Sequence, residues 1–69
     1  MLPISQIHQG DQFQNPLFND GVIFVVEEVV KEEKLVKVQG WSFIGLKPVG
    51  SPFWKKSSDR LFSESWRIN

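Results

Sequence analysis

Sixty-nine residues, 41% of them apolar and 13% aromatic, make one domain, and a chain of this size buries only about 60% of its unfolded surface, so its core must come from a few bulky side chains. The absence of cysteine removes a disulfide framework, thiolate metal sites and thiol chemistry. Eight basic residues balance eight acidic ones, which argues against a strong nonspecific binder of nucleic acid or membranes, since such proteins carry a basic excess.

Residues 1–9 form an N-terminal arm in which Leu2, Ile4 and Ile7 are apolar. It has neither a basic start nor a long apolar run, so the expectation is a soluble, cytoplasmic protein with no membrane partner. Gly10-Asp11 punctuates. Gln12 to Phe18 predicts a short first strand or an irregular arm, because Pro16 cannot donate to a central ladder. Asn19-Asp20-Gly21 is the clearest turn signal, since these residues tolerate positive φ, and a strand is expected to start at Val22.

Val22 to Trp41 reads as a β-hairpin. It holds seven valines, whose branched Cβ favours a pleated, half-buried surface. Pairing Val30 with Leu35 across Lys31 to Lys34 sets Glu28 opposite Lys37, a favourable cross-strand pair. Strict alternation leaves neither face apolar, and a bulge at Glu27-Glu28 would return Val29 to the face of Val26 and Phe24. A helix over Val22 to Lys37 is the rival, with Glu27/Lys31 and Glu33/Lys37 at i,i+4, but its β-branched residues and the interrupting Glu33 disfavour it.

Trp41 to Leu46 continues that strand or starts another. Pro48 to Pro52 predicts a loop, Phe53 to Lys56 a short strand or loop edge, and Ser57 to Phe62 a helical turn capped by Ser57 or Ser58. Glu64 to Ile68 is expected as a closing strand with Trp66 and Ile68 inward. These elements describe an all-β fold, a small single-domain barrel of four to five short strands with one helical turn before the last strand. The plan resembles SH3-like small barrels, the architecture of SH3, Tudor and KOW modules, over about residues 10 to 68. The likeness is one of architecture, and such superfolds host many unrelated activities. The chain has no tyrosine, so the paired tyrosines that grip proline-rich ligands are missing.

Chemistry is sparse. His8 is the single histidine, and in its polar segment it reads as a surface residue. Ser57, Ser58, Ser63 and Ser65 suit capping and turns, and Asp11, Asp20 and Asp59 fall where a carboxylate has a local backbone partner. Glu27 and Glu28 read as solvated charge, although a bulge could turn one inward. Gly40, Gly45 and Gly50 follow no phosphate-binding pattern. No catalytic residue, metal ligand, cofactor or small-molecule substrate is expected, and an enzyme is not.

The three tryptophans are more informative. Trp41 and Trp66 occupy strand positions and are expected in the core. Trp54, beside two lysines after a proline-bounded loop, is expected to divide between packing and binding. The predicted partner-binding surface is Phe53, Trp54, Lys55, Lys56 and Arg60, docking on a protein or on a second copy of the chain. For a homodimer, the candidate edge is Trp41 to Leu46, with its run of Trp41, Phe43, Ile44 and Leu46. Nucleic acid is the alternative partner. Residues 1–36 hold two lysines against six carboxylates, a balance of −4, and residues 37–69 hold six basic groups against two acidic ones, a balance of +4. In so small a domain the halves interleave, giving either one mixed surface or a basic face of Lys47, Lys55, Lys56, Arg60 and Arg67.

Overall fold

Residues 2–14, 21–42 and 44–68 are described by the computed structural model. Four strands, β1 (Gln12–Phe13), β2 (Val22–Val30), β3 (Leu35–Ser42) and β4 (Lys47–Lys56), form an antiparallel sheet in that order. Three short 3-10 turns, Ile4–Gln6, Arg60–Phe62 and Glu64–Trp66, flank it.

The central hairpin forms as its residues dictate. Val30 pairs with Leu35 and Glu28 with Lys37, and the register slips between Val26 and Glu28. Glu27 is therefore the extra residue of a bulge, and it resets the alternation so that Val26 and Val29 lie on one face with Val36 and Val38. Without it, Val29 would turn to the opposite side. The reversal is closed by Lys34, which adopts φ 55 and donates its amide to the Lys31 carbonyl at 3.2 Å. Gly21, at φ +77, leads into Val22 where the strand was expected to begin. The rest of that turn and the Pro16 segment lie outside the described residues.

The core sits on the Val26 face. Phe13, Val26, Val36, Val38, Leu61 and Phe62 are buried together with Leu2 and Ile7 from the N-terminal arm. The Phe13 and Phe62 rings meet edge to face at 5.4 Å, and Phe24 meets Phe53 likewise at 6.0 Å. A backbone bond from the Leu2 amide to the Phe62 carbonyl, 3.1 Å, ties the arm to the turn after β4.

Several expectations are corrected. Pro48 to Pro52 is not a loop but part of β4, because β4 is an edge strand and an edge proline owes no hydrogen bond to a second neighbour. Three residues, 50–52, oppose Gln39 alone, so the loop-like composition appears as a wide bulge inside a ten-residue strand. The turn after β4 is capped by Asp59, not by Ser57 or Ser58: its Oδ1 accepts the Leu61 amide at 2.9 Å. Glu64–Trp66 is a 3-10 turn and not a strand, started by Ser63, whose Oγ accepts the Ser65 amide at 3.3 Å. Trp66 packs against the core as expected, but Ile68 is 52% exposed.

Trp41 is not in the core cluster. It pairs with Ile23 and Pro48 and shares the parity of Gln39 and Lys37, which places it on the opposite sheet face. Nor is Trp41 to Leu46 an edge, because β3 lies between β2 and β4; Phe43 lies outside the described residues. The sheet is not closed into a barrel. Among the described residues β4 pairs with β3 alone, and the C-terminal segment reaches β1 through one bridge between Phe13 and Arg67. The Gln14 amide donates to Trp66 O at 2.8 Å, and the Ile68 amide to Gln12 O at 2.9 Å.

Candidate functional site

The register defines an outer sheet face, turned away from the core. β2 contributes Ile23, Val25, Glu28 and Val30, β3 contributes Leu35, Lys37, Gln39 and Trp41, and β4 contributes Pro48, Trp54 and Lys56. Ile23, Val25, Val30, Leu35 and Trp41 are only half-buried there, and Trp54 is 46% exposed. The face thus carries two indoles and four aliphatic side chains, with Trp54 the most exposed of them.

Trp54 stands opposite Lys37, whose Nζ lies 5.9 Å from the ring centroid. At that distance the ammonium is attracted weakly to the indole, and 46% of the residue stays exposed. Lys56, two residues along β4, is exposed on the same face opposite Leu35.

Alternation along β4 divides the residues the sequence had grouped. Phe53 is half-buried on the core side against Phe24, and Lys55 shares that side, with its Nζ 5.8 Å from the Phe53 ring and 3.6 Å from Asp59. Trp54 and Lys56 face outward. Arg60 is exposed beyond the strand, where with Ser63, Ser65 and Trp66 it lines a shallow groove of about 250 Å³. The segment therefore presents two surfaces, and Trp54 with Lys56 belongs to the broader one.

Sequence reading did not reveal the role of Gln39. Its side chain is 4% exposed, and Nε2 lies 3.0 Å from Gly40 O, 3.3 Å from Val49 O and 3.1 Å from Gly50 O. The amide has two protons, shared among the Gly40 carbonyl of β3, the Val49 carbonyl beside the β4 bulge and the Gly50 carbonyl within it. Gly50, at φ +71, supplies the backbone bend that brings them there. This cross-strand clasp holds the two ends of β4 in register and so fixes Trp54 relative to Trp41.

Asp11 is a second anchor. Its Oδ2 accepts the His8 amide at 2.8 Å, the local role expected of it, while Oδ1 accepts Arg67 Nη2 at 3.3 Å and links the C-terminal segment to β1. With the carboxylate 12% exposed, Asp11→Ala removes the acceptor of both the His8 amide and Arg67, which keeps water and the Gln6 carbonyl, and should cost about 1 kcal/mol in urea unfolding. Asn at the same position keeps the His8 bond and should recover part of that loss.

His8, Glu27 and Glu28 are exposed, and the bulge turns neither glutamate into the core. Among the described residues no group of three or more His, Asp and Glu side chains is gathered closely enough to hold a metal ion. No helix among them is long and apolar enough to cross a membrane. Comparison with known protein families, curated proteins and solved structures gives no match. The chain is a small antiparallel β protein with one covered and one open sheet face.

Proposed function

We propose that this chain is a non-enzymatic binding module that docks on a protein partner through its outer sheet face, with Trp54 as the anchor. The observation that carries the reading is an indole 46% exposed near the end of β4, with the Lys37 ammonium 5.9 Å from its ring, on a sheet face that also carries the half-buried Ile23, Val25, Val30, Leu35 and Trp41. Interfaces concentrate their energy in such residues: tryptophan offers a large apolar area with little conformational freedom to lose. Lys56 and Glu28 at its margin would set orientation more than affinity. The architecture belongs to the same proposal: an SH3-like small barrel, supported by the bridge from Phe13 to Arg67 and by the 3-10 turns between β4 and the C-terminal segment.

Trp54→Ala tests the reading. Because the ring is outside the core, the melting temperature should move by only a few degrees, the shift produced by about 1 kcal/mol in a domain of this size. Partner retention on the immobilised chain should fall at least tenfold. A melting temperature lowered by more than about 15 °C would instead make Trp54 a structural residue.

A nucleic-acid reading draws on Lys37 and Lys56 flanking the same ring, which would suit a base stacked on Trp54 with phosphates on the ammonium groups. It predicts binding to single-stranded RNA or DNA that weakens steeply between about 50 and 200 mM salt. The neutral net charge and Glu28 beside Lys37 favour the protein partner.

A further inference from the structure

β4 keeps an open edge beside Trp54. It is the outer strand of the sheet, and among the described residues it pairs with β3 alone. Ser57 donates its amide to the Lys34 carbonyl at 2.9 Å, and the register from Phe53 to Lys56 continues from that pair without a slip. The Phe53 and Lys55 amides therefore point at β3, and those of Trp54 and Lys56 point away from it. The Lys56 carbonyl accepts the Asp59 amide at 2.9 Å. That leaves the Trp54 amide, the Trp54 carbonyl and the Lys56 amide without a hydrogen bond among the described residues, at two positions that are exposed. Toward the other end the edge is closed, because Pro48 and Pro52 lack an amide hydrogen and the 50–52 bulge breaks the ladder.

We propose that this edge takes up an extended segment of a protein partner as an added strand, and that the segment carries a carboxylate opposite Lys56. The edge is continuous with the docking face at Trp54, and its role rests on that reading. Charge selects the occupant. Residues 53–62 hold Lys55, Lys56 and Arg60 against Asp59 alone, a balance of +2. Asp59 already serves Lys55 at 3.6 Å and the Leu61 amide at 2.9 Å, so Lys56 and Arg60 have no carboxylate partner among the described residues. A second copy of the edge would set the same surplus against itself, whereas a strand with an acidic residue opposite Lys56 gains a favourable cross-strand pair. In an antiparallel strand so placed, the residue two positions further on lies beside Trp54 on the same outer face, where an apolar side chain meets the indole. Main-chain bonds supply the attachment, and those two side chains supply the choice.

The probe is the end-blocked peptide Thr-Glu-Thr-Val-Thr-Thr, titrated into the isotope-labelled full chain at about 50 mM salt, where charge attraction is little screened. With peptide bound, the Trp54 and Lys56 amide hydrogens should exchange at least fivefold more slowly, while those of Phe53 and Lys55, already in the ladder, change little. Replacing the peptide's glutamate by lysine should weaken binding at least tenfold. N-methylation of its valine should do the same, because it removes the amide that meets the Trp54 carbonyl and leaves the charge in place. Lys56→Gln should weaken binding severalfold and flatten its salt dependence without lowering the melting temperature, since the side chain is exposed. An N-methylated peptide that binds as tightly as its parent and still moves the Trp54 indole overturns the edge and leaves the outer-face reading standing. No peptide binding at about 5 mM, or a lysine peptide bound equally well, overturns the proposal, and partner retention by Trp54→Ala judges the outer face separately. A free chain of twice 8.0 kDa whose Trp54 amide is already protected overturns it in favour of a second copy. A short single-stranded oligonucleotide that binds more tightly than the peptide overturns it in favour of nucleic acid.

Discussion

Phe62→Ala is expected to leave the chain without a cooperative unfolding transition at 25 °C. Phe62 is fully buried, meets Phe13 edge to face at 5.4 Å, and its backbone bonds both to Asp59 and to Leu2. Truncating a buried phenylalanine costs about 3–5 kcal/mol from lost transfer energy and the cavity left behind. A single core in a domain of this size supplies about that much net stability. No disulfide stands in reserve, since the chain has no cysteine. Circular dichroism during a thermal ramp should show a sloping baseline in place of a sigmoid. Phe62→Leu keeps most of the volume and should lose only about 1–2 kcal/mol, so the two variants separate cavity formation from loss of the aromatic contact. A cooperative transition in Phe62→Ala within about 5 °C of the parent would mean that this end of the core contributes little.

Gln39→Glu should be nearly as damaging. The substitution preserves length and shape while replacing the Nε2 donor by a carboxylate oxygen aimed at the carbonyls of Gly40, Val49 and Gly50. Three acceptors then face an acceptor, and a charge sits at a position 4% exposed. An uncompensated buried charge costs about 3–5 kcal/mol. Gln39→Leu, which removes the donors without adding charge, should cost about 1–3 kcal/mol. The order parent, Leu, Glu in urea midpoint is the expected result. Equal midpoints for all three would show that the β4 bulge is satisfied by water rather than by this side chain. The damage should be local before it is global, with the amides of Gly50 and Ser51 exchanging faster ahead of those of the Val26 and Val38 pair.

The difference between these two residues illustrates what the sequence discloses. Phe62 ends the Ser57 to Phe62 stretch that reads as a capped helical turn, and the structure forms that turn as Arg60–Phe62 with the ring buried. Gln39 is a polar letter between valine and glycine, and its role exists only because β4 carries three residues opposite one. The Glu27 bulge was legible for a related reason: two adjacent glutamates break a valine alternation that otherwise has one solution, and the Val30–Leu35 register follows from the turn length. The β4 bulge has no such signature. Pro48, Gly50 and Pro52 read as a loop because proline is excluded from central strands, and the sequence does not say that β4 is an edge.

The same gap explains Trp41 and the tip of the hairpin. Trp41 has the composition of a core residue, yet one parity step puts it beside Gln39 on the outer face. Gly45 resembles the residue that takes the positive φ at this turn, whereas Leu46 takes it. Trp54 was expected to divide between packing and binding, and it is 46% exposed on the same outer face as Trp41. Its grouping with Phe53 and Lys55 followed nearness in sequence, which a strand divides between two faces.

Amide chemical-shift mapping can locate the docking surface proposed around Trp54. The partner retained by the parent chain and lost on Trp54→Ala would be purified and titrated into the isotope-labelled protein. Shifts should concentrate at Ile23, Val25, Lys37, Trp54 and Lys56, with the Trp54 indole resonance among the largest. Shifts centred instead on Arg60, Ser63 and Ser65, with the Trp54 indole unmoved, would contradict that placement.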